Sequence, residues 1–388
     1  MSLEALVPVS QNVLAHKTLL HNNCIGNALK INSKQHGLPA LEGVRVAIFG
    51  VLDSRKTKDY LGQEFDFDEI RTSFYELFPG NWNLTIADLG DLQKGHDISD
   101  TYSAVTTITN TLLKKGIIPI MLGGGQDLAY AQYRAYDNTE RMVNLVNIDA
   151  HFDLGNADAE MNSHLFVSKI VVNQPYNLFN YSNIGFQTYY NAQEEIDLID
   201  RLYFDAVRLG EATHDLTITE PILRDANMVT MDISSMNASA LGSTTHKYPN
   251  GFDGREICAI SRYAGLSDKV SSFSICELQG KTQSETSAML VAEILWYFIE
   301  GVTYRRDEHT AAAKEGFTRY QVPIDDEVLI FYKSPLSGRW WIEIPFFSDQ
   351  NTKLNKRALL PCNHQDYLDA CQQEIPQRWW KARQKNEL

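Results

Sequence analysis

The sequence predicts an α/β protein whose mainly parallel sheet is covered by helices on both faces. Short apolar runs alternate with amphipathic stretches along most of its 388 residues, which is the pattern of strands joined by crossover helices. The run at 142–148 (MVNLVNI) is apolar at both parities apart from its asparagines, which is typical of a strand buried on both faces. Beyond residue 320 the pattern changes to paired strands and a helix.

The individual elements follow one another in a regular order. Apolar runs predict strands at 44–51, 84–89, 117–122, 142–148, 182–186, 202–207, 229–233 and 270–277. Apolar residues at helical spacing predict helices at 101–115, 128–136, 255–264 and 285–300. Two strands at 327–332 and 339–344 flank a turn that holds Pro335 and Gly338, which predicts a β-hairpin, and the tail from Gln365 is expected to be helical.

The change of pattern divides the chain into three parts. We predict an N-terminal extension (1–43), an α/β domain (44–320) and a C-terminal appendage of hairpin and helix (321–388). The appendage carries four tryptophans, Trp340, Trp341, Trp379 and Trp380. These side chains form either the interface of a homo-oligomer or a local core for the appendage, and we favour the local core.

Composition excludes several classes of protein. The net charge of −14 is the opposite of what a nucleic-acid-binding protein needs. Apolar runs such as 117–122 fall far short of the roughly 20 residues of a membrane helix, and no basic start followed by an apolar core marks a signal peptide. Five cysteines without CxxC spacing indicate buried free thiols in a reducing compartment. We therefore expect a cytoplasmic protein that binds neither nucleic acid nor membrane.

Three polar segments follow predicted strands, at 122–127 (LGGGQD), 147–154 (NIDAHFDL) and 230–234 (TMDIS). Ligands of such folds gather at the carboxyl ends of strands. On an extended chain Asp149, His151 and Asp153 point to one face, where they could hold a divalent cation; the alternative is a polar loop after a strand. Asp232 could add a fourth ligand.

The three glycines of the first segment, Gly123, Gly124 and Gly125, have two interpretations. They could cradle a phosphate at the start of a helix. Because the GxxxxGK[ST] and GxGxxG patterns are missing, close approach of the backbone to a site is the better account.

In this order and spacing, the segments resemble the arginase–agmatinase–formimidoylglutamase (ureohydrolase) family, whose motifs are GG[GD]H, DAHxD and DxD. The resemblance covers about 44–301 and is nearest to formimidoylglutamase, through DAHFDL at 149–154, YSNIGFQ at 181–187, the stretch 241–254 and SICEL at 274–278. It implies a three-layer α/β/α arginase-like fold. It also implies two Mn²⁺ ions whose bridging hydroxide attacks the carbon of a small amidine or guanidine substrate.

The resemblance also exposes two replaced metal ligands. By motif position the family's six ligands fall on Gln126, Asp149, His151, Asp153, Asp232 and Ser234. The family has His at the first position and Asp at the last. Glutamine and serine offer only neutral oxygens, which are weaker ligands for Mn²⁺. We therefore expect a single, weakly bound Mn²⁺ ion or none.

Further roles follow from the resemblance. It implies that Asp153 orients the hydroxide and that Glu277 faces the cationic part of the substrate. Asn162 takes the position of a proton-shuttling histidine found in arginase relatives, and Ser163 belongs to a run that contacts substrate. His164 is either a substitute ligand or acid–base group, or a packed histidine.

Two functions stay open at this point. The first is an active ureohydrolase with an altered site, with formimidoylglutamate as the first candidate substrate; position in the family favours it. The second is a catalytically inactive protein that binds a ligand or partner; the loss of two ligands favours it. A site in which Gln126 and Ser234 are hydrogen-bonded to Asp149 or Asp232 would indicate the second.

Overall fold

A central sheet of ten strands organises the residues that this computed structural model describes, which are 3–57, 62, 65–139, 142–242, 248–278, 284–309, 315–325, 327–344 and 358–387. Its strands are β1 (Leu6–Val7), β2 (Lys30–Ile31), β3 (Val44–Leu52), β4 (Thr85–Gln93), β5 (Ile118–Gly123), β6 (Val143–Ile148), β7 (Leu178–Phe186), β8 (Asp205–Arg208), β9 (Met228–Asp232) and β10 (Ser272–Cys276). They lie in the order β1-β4-β3-β5-β10-β9-β6-β7-β8, with β2 paired to β4. Only β1 runs antiparallel to its neighbour among these described strands, which confirms the predicted fold class.

Helices cover both faces of this sheet. They are α1 (Gln11–Lys17), α2 (Ile25–Ala28), α3 (Asp68–Glu76), α4 (Ile98–Lys114), α5 (Leu128–Tyr133), α6 (Phe166–Val172), α7 (Gln193–Arg201), α8 (Leu209–His214), α9 (Thr219–Asp225), α10 (Ala238–Leu241), α11 (Gly254–Leu266) and α12 (Glu285–Thr303). Two further helices, α13 (His364–Cys371) and α14 (Gln377–Glu387), follow the last strand of the chain and pack in the core of the appendage. Alternate residues of β3 separate the layers. Val46 and Ile48 pack in the same core cluster as α3 and α12, whereas Ala47 and Phe49 pack with α4.

Several element boundaries differ from the prediction for local reasons. Helix α4 starts at Ile98 rather than 101, because Asp97 and Asp100 form a capping box that begins the helix earlier. Strand β8 starts at Asp205 rather than 202, because Leu202 and Phe204 donate backbone hydrogen bonds back to the last turn of α7. No strand is predicted before residue 44, and β1 and β2 have only two residues each, too few for a periodic signal.

The C-terminal appendage contains more than the predicted hairpin. Strands β11 (Thr318–Ile324), β12 (Glu327–Lys333), β13 (Trp340–Ile344) and β14 (Ala358–Cys362) form an antiparallel sheet in that order, and the hairpin is its central pair. Trp340, Trp341 and Trp379 are buried in the appendage, while Trp380 is 45% exposed. The local core is therefore confirmed for three of the four tryptophans.

Helix α9 anchors the appendage to the main sheet. The guanidinium of Arg224 lies over the ring of Trp341 at 4.5 Å, and its Nη2 donates to the carbonyl of Cys362 at 2.9 Å. Ser334 donates to the buried carboxylate of Glu308 at 2.5 Å. Through these contacts the appendage packs against α9 and the segment that follows α12.

Two further expectations can be compared with the structure. All five cysteines are free, but Cys371 is exposed, so the expectation of uniformly buried thiols is wrong at that position. Within the described ranges, no helix combines the length and the apolar character that crossing a bilayer requires.

A buried ion-pair network joins α3 to β4. Arg71 is 2% exposed; its Nε donates to Asp88 at 2.9 Å, and its two Nη atoms each donate to Asp91 at 2.8 Å. The hydroxyl of Tyr75 donates to Asp88 at 2.9 Å. Removing the cation would leave two buried carboxylates without a countercharge.

We expect the substitution R71M to lower the free energy of unfolding by about 3–5 kcal/mol, because one partner of a buried pair is removed. The matched control is R255M, since Arg255 is 95% exposed and pairs with Asp253 at 3.4 Å. That exposed pair should contribute about 0–1 kcal/mol. Urea denaturation followed by circular dichroism measures both, and equal losses in the two variants would contradict the analysis.

Candidate functional site

Four neighbouring strands bring their carboxyl ends together, in the order β5, β10, β9 and β6. Gln126 lies just beyond β5, Glu277 follows β10, Asp232 ends β9, and Asp149 follows β6. All three pairings are parallel, so these side chains meet at one edge of the sheet. The structure therefore places the predicted segments at one site, as the ligand-binding rule for such sheets requires.

Three carboxylates converge there with little access to water. Asp149, Asp153 and Asp232 are 0%, 2% and 5% exposed. Burial, and then the charges of the other two carboxylates, raise the pKa of Asp149 to about 7. Burial and the charge of Asp232 raise the pKa of Asp153 to about 7, against the opposing effect of His151. Near neutral pH Asp149 and Asp153 are therefore partly protonated, whereas ordinary aspartates are fully ionised.

A chain of two amides leads from the first replaced position to this cluster. Gln126 Nε2 donates to Asn147 Oδ1 at 2.8 Å, and Asn147 Nδ2 donates to Asp153 Oδ2 at 2.9 Å. Gln126 and Asn147 are 1% and 0% exposed, so both bonds are shielded from water. Gln126 therefore reaches the carboxylates through Asn147, and the expected bond to Asp149 or Asp232 is replaced by this indirect one.

The second replaced position acts through its backbone. The N–H of Ser234 donates to Asp232 Oδ1 at 2.6 Å, within a short 3-10 turn (Ile233–Ser235) that follows β9. The N–H of His151 donates in the same way to Asp149 Oδ1 at 2.8 Å. Two of the three carboxylates are thus held by amides of the loop that follows their own strand.

Two histidines stand at the open side of the cluster. His151 Nδ1 lies 3.5 Å from Asp149 Oδ1, and His164 Nδ1 lies 3.4 Å from Asp153 Oδ1. Burial lowers the pKa of His151, but contact with Asp149 and the charges of the other two carboxylates outweigh burial and raise it to about 8. The two rings meet edge to face with centroids 4.6 Å apart. His164 therefore lies in the site, at ion-pair distance from Asp153.

Glu277 is turned toward the backbone of the glycine segment. Its Oε1 accepts from the N–H of Gln126 at 3.0 Å and from the hydroxyl of Thr57 at 3.3 Å. Its own N–H donates to the carbonyl of Gly124 at 2.6 Å, and its φ is +59°. Asp153 also has a positive φ, +56°. Backbone in this region is uncommon for residues other than glycine and concentrates at functional sites.

The glycines allow their backbone to lie very close to neighbouring groups, which is the interpretation favoured from the sequence. A Cβ on Gly124 would lie 2.1 Å from the carbonyl oxygen of Asp53, and one on Gly125 would lie 2.1 Å from Asp127 Oδ1. Any side chain at these positions would displace the loop that carries Gln126.

The loop with the remaining predicted residues closes one side. Asn162 Oδ1 accepts from the N–H of His164 at 2.9 Å, which holds that histidine in place. Ser163 is buried, and its N–H donates to the carbonyl of Lys56 at 3.0 Å. Lys56 in turn pairs with Glu160. Asn162 therefore orients His164, and Ser163 ties two loops together at the rim.

An open cleft of about 440 Å³ leads to this cluster. Besides His151, Asp153, Asn162 and His164, its wall includes Tyr190, Asn191 and Glu195. Tyr190 stacks on His151 at 5.3 Å, and Tyr248 meets Tyr190 edge-on at 5.0 Å. The stretch 241–254 contributes Tyr248, whereas residues 243–247 of it lie outside the described residues.

Sequence reasoning missed Asn147 and the tyrosines. Asn147 carried a usable signal, because it has the parity of Asp149 in a strand whose one other polar residue is Asn144. Tyr190 and Glu195 follow β7, in a segment without any motif, and only the tertiary fold brings them to the cleft.

The predicted metal ligands lie farther apart than the ligands of a compact metal centre. Among the described residues, two groups of three potential ligands have all their ligand atoms within 4.8 Å of one another: His96, Asp97 and Asp100, and Asp268, Asp307 and His309. The predicted set of Asp149, His151, Asp153 and Asp232 is not such a group. Within the described chain Asp149 Oδ2 is buried and receives no hydrogen bond, so one acceptor at the centre stays available.

Comparisons with known proteins agree on one family. The model of the Arginase family matches residues 44–300. The formimidoylglutamase of Staphylococcus aureus (strain MRSA252) is 26% identical over 254 residues, which are 63% of this chain and 81% of that protein. That of Lysinibacillus sphaericus (strain C3-41) is 24% identical over 206 residues, 50% of this chain and 63% of the relative, so the chain spans less than two thirds of its length.

Solved structures show the same fold. Formimidoylglutamase from Bacillus subtilis superposes with a TM-score of 0.61 at 16% identity, covering 68% of this chain and 88% of that one. Formiminoglutamase from Trypanosoma cruzi with Mn²⁺ gives a TM-score of 0.61 at 16% identity, covering 69% and 96%.

The raised pKa values predict that the protein, kept in EDTA, loses stability as the pH rises. Unfolded aspartate titrates near 3.9 and histidine near 6.5. Since Asp149 and Asp153 titrate at about 7 and His151 at about 8 when folded, the folded state binds more protons between those limits. Each extra bound proton lowers the free energy of unfolding by about 1.4 kcal/mol per pH unit of increase. Urea denaturation at a series of pH values measures the slope.

The control for this slope is D153N. Its side-chain oxygen can still accept from Asn147, but one carboxylate is gone and the remaining ones repel less. We expect a shallower slope than in the wild type. An identical slope in both proteins would show that the carboxylate cluster is not its source.

Proposed function

The chain belongs to the arginase family, and from that premise we propose that it is a binding member of the family that does not assemble the two-manganese hydrolytic centre. The observation that carries this proposal is the amide chain from Gln126 through Asn147 to Asp153. The side chain at the first ligand position donates a hydrogen bond to Asn147, which in turn donates to Asp153, where a metal site needs a lone pair directed at the ion.

The balance of charge supports the same conclusion. The family site sets four carboxylates against two divalent ions, whereas this site has three, because Ser234 replaces one. Protons on Asp149 and Asp153, and amide donors to all three acids, supply the stabilisation that cations would otherwise provide. The residues present fit one divalent ion, through Asp149 and its neighbours, and do not fit two.

The cleft indicates what such a protein would bind. Its wall carries the carboxylate of Glu195 and the ring of Tyr190. Acidic oxygens beside aromatic faces favour small organic cations. By likeness to relatives named formimidoylglutamase, we propose a small amidine or guanidine as the ligand.

A second candidate is a hydrolase that works with a single ion. The observation in its favour is Asp149 Oδ2, a buried acceptor that no donor in the described chain satisfies. A divalent cation such as Mn²⁺ bound there would supply Lewis acidity. In that case His164, 3.4 Å from Asp153, would hold the proton that the reaction displaces.

The deciding experiment is the Mn²⁺ content of wild type and of the double variant Q126H/S234D, by elemental analysis after incubation with Mn²⁺ and desalting. We expect at most one ion per chain in the wild type and two in the variant. Loss of a residue that hydrogen-bonds to a metal ligand costs ~10–100-fold in metal affinity, and loss of a ligand itself should cost more. Hydrolysis of formimidoylglutamate, agmatine and arginine is assayed on the same samples.

The matched control is Q126N/S234T, which keeps both positions neutral and should gain no metal. Two ions in the wild type would overturn the binding proposal. Amidine hydrolysis by the wild type with one ion bound would establish the second candidate instead.

A further inference from the structure

A second cavity lies at the opposite end of the strands that carry the cleft. It measures about 250 Å³ and opens between α14 and the amino ends of β6, β7 and β8. Polar side chains such as Asn180 and Ser182 line its floor, and Arg378, Lys381 and Lys385 of α14 form its roof. No described residue lines both this cavity and the cleft, so the two are separate. The matched family region ends at residue 300, so the appendage alone supplies the roof.

The acids that line this cavity among the described residues each have a basic partner. The pairs are Asp366 with Arg378 at 3.1 Å, Asp205 with Lys381 at 3.7 Å, and Asp225 with Lys269. The negative charges of the wall are therefore balanced without the third cation of α14, which is Lys385.

Lys385 is thus a surplus positive charge at the cavity. Its Nζ donates to the amide oxygen of Asn180 and lies 5.7 Å from the ring centre of Phe204. Across the part of the chain that the structure describes, no carboxylate lies within 4 Å of this amine, unlike the cations of Arg378 and Lys381. Because an ammonium group has three donors, Nζ can donate to a ligand and keep its bond to Asn180.

The surroundings keep this amine charged at neutral pH. The amide oxygen of Asn180, the ring of Phe204 and the charge of Asp205 favour the ammonium form. Burial, with help from the charge of Lys381 and against the charges of Asp205 and Asp225, lowers the pKa of Lys385 to about 8. Since that value lies above neutrality, the ammonium form predominates at pH 7. A partly buried ammonium group without a carboxylate partner favours an anion beside it.

Apolar side chains supply much of the remaining wall. Val146, Ile222 and Leu360 are among them. A cavity of about 150 Å³ is large enough to hold benzene, so this one has room for an anion with an organic body. Burial of that body against the apolar wall contributes affinity that an inorganic ion cannot gain.

We propose that this cavity binds a small organic monocarboxylate, whose carboxylate pairs with Lys385 and whose body packs on the apolar wall between α9 and β14. One carboxylate matches one surplus positive charge. A second negative charge would be repelled by Asp205 and Asp225, which already have their partners. The proposal is independent of the function proposed for the cleft.

The first test compares benzoate with benzamide, its neutral analogue of the same shape. Isothermal titration calorimetry on the full-length wild type at pH 7 and about 0.15 M NaCl gives both affinities. We expect benzoate to bind at least roughly tenfold more tightly, because only the carboxylate can pair with the ammonium group. Equal affinities for the two compounds, or no binding of benzoate, would overturn the proposal.

The variant K385Q tests where benzoate binds. It removes the charge, while its side-chain amide can still donate to Asn180, and K94Q is the matched control because Lys94 is exposed. We expect the benzoate affinity to fall roughly tenfold in K385Q and to stay unchanged in K94Q. An unchanged affinity in K385Q, or an equal loss in both variants, would contradict the proposal. The comparison of benzoate with benzamide needs no variant, so it decides the question whatever K385Q does to stability.

Discussion

The repulsion among three buried carboxylates is the constraint on which the candidate site depends. Parallel strands end at one edge of the sheet, so Asp149, Asp153 and Asp232 are drawn together by topology whatever neutralises them. Water cannot do so, because the cluster is buried. Cations, protons or hydrogen-bond donors remain. Amide donors reach all three acids in this protein, through Asn147 and the N–H groups of His151 and Ser234, and in the proposed function protons take the place of the cations.

This choice has consequences for both replaced positions. Gln126 can donate where a histidine ligand would offer a lone pair, and its amide keeps Asn147 oriented toward Asp153. Ser234 stands where the family has an aspartate, so the cluster carries one carboxylate fewer and its members repel one another less. The two replacements act in the same direction, since each lowers the demand for metal. A histidine restored at position 126 alone would remove the amide that donates to Asn147, while position 234 would still lack its carboxylate. Both positions are therefore changed in one variant.

The sequence predicted where the site lies more fully than it predicted the chemistry of the site. Apolar strands that end in polar segments located Asp149 and Asp232 at one edge, since the parallel-sheet rule needs no tertiary detail, whereas Glu277 was located by the family resemblance. The tyrosines of the cleft could not be found, because Tyr190 reaches it through a loop after β7 that has no periodic signal. Elements of two residues, such as β1, and the last strand of the appendage, β14, escaped for related reasons: their pairing is decided by partners distant in sequence.

The two ends of β6 lie in surroundings of different charge. Asn147 and Asp149 share its parity at the carboxyl end, where the neighbouring strands converge on acids. At the amino end, Asn144 faces a cavity that α14 covers with basic side chains. Arg378 and Lys381 pair with acids, whereas Lys385 lies against Asn180 and Phe204 and has no carboxylate within 4 Å among the described residues. Partial burial lowers the pKa of Lys385, and burial raises the pKa values of Asp149 and Asp153, for the same reason: removing a charged group from water favours its neutral form.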